Sequence, residues 1–341
     1  MPGLASDSFP LPLDLFSSVT IYGITDSADG QPVPFTMKRD ISFPHQMFHF
    51  AKPTEKVWEH SMQPHPVPTN GLHLELELGD LIGHGTAGHV YAVRVVRVSS
   101  SGNEDTGSLH THIDVQLPEL CIKLAEPHRT RGSAREAWFY EQLRLEGLEG
   151  VTSPGFYGFF TSTCDHTRVV PWRTDEWSFK TEEDLDLFES EDPLMHMETV
   201  GSEPYEDDDR WFDDELGSHQ NSKWLDFRSS RSDPLVSILL LEKLGETLHS
   251  LYKIEDCSFI KDADQVLEDI VWKGFYHEDV RYNQFAIAPN PIRCPRHKRT
   301  HKVFVLDFEL VYRVPPIHND RDLARWKQYN LMRLNPGLRR K

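Results

Sequence analysis

The sequence predicts an α+β fold in two parts, a β-rich N-terminal lobe followed by an abbreviated helical C-terminal lobe. Three observations carry that expectation. Residues 72–78 (LHLELEL) alternate apolar and polar side chains, the period of a half-buried strand, and β-branched or apolar runs follow at 90–98, 119–125 and 235–241. Residues 133–143 have helical spacing, with Glu136, Tyr140 and Leu143 recurring at intervals of three and four, so that they share a face. After Gly245 the pattern turns helical, over 246–252, 262–273 and 320–332.

Composition sets the outer bounds. A chain of 341 residues is long enough for one large or two modest domains with a real core. Its net charge of -18 argues against a general nucleic-acid binder, because phosphate backbones need clustered Lys and Arg. The four cysteines, Cys121, Cys164, Cys257 and Cys294, are scattered and form no C-x-x-C pair, which suits reduced thiols inside a cell. No basic segment followed by a long apolar run marks a secretory signal, and the apolar stretch at 235–241 falls far short of the roughly 20 residues a membrane span needs. The expectation is an intracellular protein, cytoplasmic or nuclear, with neither membrane nor nucleic acid as partner.

Taken in order, residues 1–70 form an N-terminal extension with one credible hairpin: an apolar run at 19–22, a polar turn at 27–30 and a second run at 33–37. The strand at 72–78 then leads into Gly83-x-Gly85-x-x-Gly88-x-Val90. Glycines at that spacing let backbone N–H groups approach phosphate oxygens without side-chain interference. A dinucleotide-binding fold uses the same spacing, but there the loop runs into a helix, whereas here residues 90–98 continue as a β-branched strand.

Residues 99–116 read as an enlarged hairpin loop, and the next strand places a single lysine, Lys123, inside an apolar run. A buried ammonium needs a carboxylate partner, and Glu136 on the following helix is the candidate, with Glu141 and Glu146 as rivals late in the helix. A strand at 151–160 precedes an insertion at 161–234 that carries acidic runs, which read as solvated, and scattered tryptophans, which suggest contact with the body or a partner. The run at 235–241 ends in Glu242, Lys243, Leu244 and Gly245.

Two acidic motifs close the sequence. His277-x-Asp279 lies just before the short apolar run at 285–287, and Asp307-Phe308-Glu309 just after the run at 303–306. Carboxylates at the mouths of two neighbouring strands converge on one spot, which suits phosphoryl transfer: one holds Mg²⁺ and another orients the attacking hydroxyl. Between them lies a basic insert at 293–301 in which Cys294, His297 and His301 have an ion-binding look. With a single thiolate and no fourth ligand, a charged loop is the preferred reading.

Glycine loop, lysine, glutamate, apolar strand, H-x-D and D-F-x in this order resemble the protein kinase-like superfamily, and its short, divergent fungal members above all. The resemblance implies a two-lobed kinase-like fold, with the N-lobe over 71–245 and a truncated C-lobe over 246–341. It implies ATP and Mg²⁺ as cofactors. Gly83, Gly85, Gly88 and Val90 would cover the phosphates, and Lys123, paired with Glu136, would neutralise them. The backbone from Glu242 to Leu244 would take the adenine edge. Asp279 would accept or orient the acceptor hydroxyl, Asp307 would hold the metal, and Gln284 stands where the family places its second metal ligand. The activity implied is transfer of a γ-phosphoryl group to a protein Ser or Thr hydroxyl. A pseudokinase scaffold that engages a protein through the acidic insertion and a small-molecule kinase are the alternatives. Departures are Glu278 in place of Arg, Gln284 in place of Asn, Glu309 in place of Gly, and no activation segment after Asp307.

Overall fold

A computed structural model of the chain describes residues 13–27, 29–42, 64–85, 88–100, 115–125, 129–163, 168–169, 235–248, 257–277, 280–313 and 323. Strands β1 (Phe16–Asp26) and β2 (Pro32–Arg39) form the N-terminal hairpin. Then come β3 (Leu72–Gly85), β4 (Gly88–Ser100) and β5 (Leu120–Ala125), helix α1 (Thr130–Leu145), and strands β6 (Phe156–Thr163), β7 (Arg168–Val169) and β8 (Leu235–Glu242). Helix α2 (Cys257–Trp272) follows, with four short strands: β9 (Phe275–His277), β10 (Phe285–Ile287), β11 (Val303–Val305) and β12 (Val311–Arg313).

The hairpin decides the architecture. In β2 the alternation of exposed and buried positions turns Phe35, Met37 and Arg39 inward, and Val19, Ile21 and Ile24 of β1 are fully buried. Strand β1 lies parallel to β3, with Ile21 opposite Leu76, and antiparallel to β2, whose far end pairs with β6 through Arg39 and Phe160. The order β1-β3-β4-β5-β8-β6-β2 therefore returns to β1 and closes a seven-stranded barrel, with β7 added beside β1. Its interior is filled by side chains such as Phe16, Ile21, Leu74, Ile122, Phe160 and Leu240.

Successive residues of a strand face opposite sides, so Cys121, Leu239 and Leu241 point out of the barrel into a second core. Helix α1 covers that outer face and is buried almost all round, with Trp138, Phe139, Tyr140 and Leu143 beside polar Arg135, Glu136, Glu141 and Gln142. Tyr140 stacks on Phe156 (5.4 Å, 19°) and meets Phe308 edge-on (5.0 Å, 71°), which fixes the helix to β6 and to the segment after β11. Each fully buried phenylalanine of this layer contributes roughly 1.5–3 kcal/mol. Helix α2 packs on β9 and β11, and those strands form two antiparallel pairs, β10 with β11 and β9 with β12.

The two-lobed kinase-like fold with a helical C-lobe is thus corrected: the chain is a closed β-barrel with two helices among its described residues. Apolar periodicity specifies individual strands and helices, but closure depends on pairing between residues more than fifty positions apart, such as Ile21 with Leu76 and Arg39 with Phe160. Beyond residue 245 the described chain holds one 16-residue helix, α2, and four three-residue strands. The helices expected at 246–252 and 320–332 lie outside the described residues except for Glu246, Thr247, Leu248 and Leu323, and Thr247 bridges Ala286. Apart from 161–163 and 168–169, the acidic insertion also lies outside them. Among the described residues no helix is long and apolar enough to cross a membrane.

Candidate functional site

Lys123 sits in the middle of β5 on its outward face. The register sets Val90 of β4 on one side and Leu239 of β8 on the other, so these three side chains share the surface that α1 covers. Lys123 Nζ donates to Glu136 Oε2 of α1 at 2.6 Å and to Asp307 Oδ1 at 2.8 Å. The pair is closed on one side and open on the other: the Glu136 side chain is 2% exposed and that of Asp307 40%.

The charges follow from this arrangement. Burial alone would lower the Lys123 pKa, but the carboxylates of Asp307, Glu136 and Glu309 outweigh it and hold the ammonium above the ordinary lysine value. Burial would likewise raise Asp307, yet the Lys123 charge and hydrogen bond, with a hydrogen bond from Gln284, keep it below the usual carboxylate range. Glu136, buried and facing Asp307 as well as Lys123, is pushed up. At neutral pH the solvent-facing member of the group is an ionised carboxylate.

The backbone at Asp307 is left-handed, with φ 63° and ψ 69°. Such a conformation costs a non-glycine residue roughly 1–3 kcal/mol, and Asp and Asn tolerate it best. It turns the carboxylate from the end of β11 towards Lys123. Gln284, in a single 3-10 turn (Tyr282–Gln284), accepts the Arg281 N–H on Oε1 at 2.8 Å, and its own carbonyl takes the Leu306 N–H at 2.8 Å. His277 lies against Leu306 O at 3.0 Å and beside the Phe308 ring. These bonds tie the segment before Gln284 to the one before Asp307.

Of the residues singled out in the sequence, Lys123, Glu136, Asp307 and Gln284 thus meet. Val90 lies opposite Lys123. Gly83 and Gly85 are in the turn-proximal pairing of β3 with β4, where Gly83 faces Val90 and Gly85 faces Gly88. Glu242 is buried at the end of β8: its N–H meets Gly155 O at 2.8 Å, and its carboxylate accepts the Gly155 N–H and the Asn290 amide. Leu244 follows it, half-buried. Asp279 and Glu278 lie outside the described residues. The rival glutamates are engaged elsewhere, Glu141 with Arg39 and Glu146 with Lys273.

The three glycines are not equivalent. A Cβ on Gly88 would lie 2.2 Å from Leu124 O, so β4 and β5 require glycine there, whereas a Cβ on Gly85 would meet nothing within 4 Å among the described residues. Gly88→Ala is expected to cost about 1–3 kcal/mol of stability. Gly85→Ala should leave stability within about 0.5 kcal/mol of wild type, as read by denaturant unfolding. A Gly85→Ala variant destabilised as much as Gly88→Ala would contradict this difference between the two positions.

One contributor, Glu309, stands out in the sequence only as a departure, with no role assigned to it. Glu309 is buried, and Arg135 of α1 donates to its backbone carbonyl while Arg129 Nη1 stands 4.0 Å from its carboxylate. The segment that carries Asp307 is thereby strapped to the helix that carries Glu136. Only the abnormal residue after Asp-Phe hinted at this, and its arginine partners lie more than 170 positions upstream. Compared with models of known protein families and with curated protein sequences, the chain matches none.

Proposed function

We propose that this chain binds a magnesium nucleoside triphosphate at Lys123 and Asp307 and transfers its γ-phosphoryl group to a hydroxyl, with a protein Ser or Thr as the preferred acceptor. The observation that carries the reading is the contact between Lys123 and Asp307, separated by 184 positions and closed by Glu136. Phosphoryl transfer depends mainly on positioning and charge neutralisation, and this group offers a fixed cation beside an ionised, solvent-facing carboxylate. That exposed carboxylate, held below its ordinary pKa, fits a divalent ion.

In this reading bound Mg·ATP supplies the phosphoryl group and the metal's own charge neutralisation. Lys123 meets the phosphate oxygens, and Glu136 with the Arg129 and Arg135 strap keeps its ammonium aimed. The Asp307 carboxylate would hold the metal, and the hydrogen bond from Gln284 fixes the carboxylate's orientation. Asp279, assigned from sequence, orients the acceptor hydroxyl and takes its proton.

A second reading, a nucleotide-binding scaffold without transfer, is favoured by one observation: the Gln284 oxygen available for a second metal already accepts the Arg281 N–H. Radiolabelled ATP turnover separates the two. Asp279→Asn is expected to cut turnover by about 10²–10⁴-fold while leaving Mg·ATP affinity within a few-fold. Tight Mg·ATP binding with no turnover in the wild type, across protein and small-molecule acceptors, would favour the scaffold.

A further inference from the structure

The basic insert between β10 and β11 folds as a tight hairpin in which Arg293 bridges Thr300, the Cys294 N–H meets Arg299 O at 2.8 Å, and the Lys298 N–H returns to Cys294 O at 2.9 Å. This turn brings Cys294, His297 and His301 together, and the fourth group comes from outside it. Asp269, on the last turns of α2, is 3% exposed, and its Oδ2 lies 3.0 Å from Cys294 Sγ, 3.2 Å from His297 Nδ1 and 2.9 Å from His301 Nε2. Cys294 Sγ and His297 Nδ1 are 3.6 Å apart, and all four donor atoms lie within 4.8 Å of one another.

Hydrogen bonding alone is a poor account of this cluster. It would aim three donors at a single carboxylate oxygen, one more than that oxygen's two lone pairs serve, and each donor would have to keep its proton in a buried place. A tetrahedral zinc ion satisfies the same atoms at once. Bond lengths of about 2.3 Å to sulfur and about 2.0 Å to nitrogen and oxygen set ligand separations of about 3.3–3.6 Å, against 3.0, 3.2, 2.9 and 3.6 Å for the four pairs above and at most 4.8 Å for the other two. A thiolate and a carboxylate also cancel the ion's two charges, which suits a buried site.

The surroundings are those of a held ligand set. The His297 N–H points to Cys294 Sγ at 3.3 Å, Arg296 lies 3.6 Å from the other Asp269 oxygen and over the Trp272 ring, and Arg299 and the Lys302 N–H both reach Asp262 of α2. We infer that Asp269, Cys294, His297 and His301 form a closed structural zinc site that clamps the hairpin to α2. Four protein donors leave no open position, so the ion braces and does not catalyse. The clamp sits directly before β11 (Val303–Val305), two residues ahead of Asp307.

The test is metal content of the full-length protein after zinc loading and desalting, together with Co²⁺ substitution. About one zinc per chain is expected, and the Co²⁺ form should show intense visible bands of a tetrahedral ion with thiolate charge transfer in the near ultraviolet. Cys294→Ser should abolish the charge-transfer band, and Cys294→Ser with His301→Ala should lower zinc content at least about tenfold. Should the double variant fail to fold, wild-type Co²⁺ spectra decide alone. A folded wild type with less than about a tenth of an equivalent of zinc, a six-coordinate Co²⁺ spectrum, or unchanged zinc in the double variant would overturn the site.

Discussion

Lys123→Met is expected, on the proposed function, to abolish Mg·ATP-dependent stabilisation and to lower any phosphotransfer by about 10²-fold or more, because it removes the cation that would meet the phosphates. It also leaves Glu136, 2% exposed, without its counter-charge. Breaking a buried pair costs about 3–5 kcal/mol, although Glu136 limits the loss by taking up a proton. That proton gives the variant a signature. A carboxyl whose folded pKa is raised above its unfolded value contributes stability that is present at low pH and lost as pH rises through the folded value. Since burial already pushes Glu136 up to about 7 with its lysine in place, Lys123→Met should be least stable, relative to wild type, above neutrality. Lys123→Met with Glu136→Gln separates the two roles: stability should recover and nucleotide binding should not. Chemical denaturation at pH 6 and pH 8, with nucleotide titration alongside, reads both. Nucleotide binding retained by either variant would mean that Lys123 serves only the fold.

The second large effect is expected where β2, β6 and α1 meet. Arg39, the last residue of β2, is buried where β2 meets β6. It donates to Tyr157 O at 2.8 Å, lies over the rings of Phe156 and Phe160, and stands 3.7 Å from Glu141 of α1. Both charged side chains are 2% exposed, so solvent screens them little. Glu141→Ala strands the guanidinium and removes the acceptor of the Ser42 hydroxyl and the His65 N–H, at 2.6 and 2.9 Å. A loss of about 3–5 kcal/mol is expected, measured by denaturant unfolding at pH 8. Burial, opposed by those two hydrogen bonds and by Arg39, pushes the Glu141 carboxyl up to about 7, so its contribution too is present at low pH and fades as pH rises through neutrality. Glu141→Gln should therefore flatten part of the fall in melting temperature between pH 5.5 and pH 8, with Glu136, Glu149 and Glu309, whose carboxyls burial also pushes up, contributing to the remainder. A variant as stable as wild type and an unaltered pH slope would show that the barrel closure does not rely on this pair.

Local features were legible because they are written locally. The N-terminal hairpin follows from two apolar runs around a polar turn, the strand from Leu72 from its alternation, and the helix from the spacing of Glu136, Tyr140 and Leu143; each stands in the structure, extended at one or both ends. Closure was not legible. The parallel pairing of β1 with β3 and the contact of β2 with β6 are bonds between backbones, and no side-chain pattern announces them. The motif residues were found from the order in which they occur, and Lys123, Glu136 and Asp307 do meet, but that order says nothing of how the sheet around them closes. The metal cluster failed in sequence for a related reason. Cys294, His297 and His301 share one hairpin, whereas Asp269 is supplied by a helix 25 positions earlier, so spacing alone left the set one ligand short. Glu309 repeats the lesson: its departure from glycine was visible, and the arginines that give it a purpose were not.

Thermal unfolding with and without Mg·ATP bears most directly on the proposed nucleotide site, since a ligand that binds only the folded state stabilises it by mass action. Saturation at 100 times the dissociation constant supplies about 2.7 kcal/mol, a rise of about 5 °C for a chain of this size. The rise is expected to need Mg²⁺ and to vanish in Asp307→Asn, which keeps the side chain's shape and its tolerance of a left-handed backbone but not its charge. A folded wild type that melts at the same temperature with and without millimolar Mg·ATP, or an Asp307→Asn variant that rises equally, would contradict the assignment of Lys123 and Asp307 to a nucleotide.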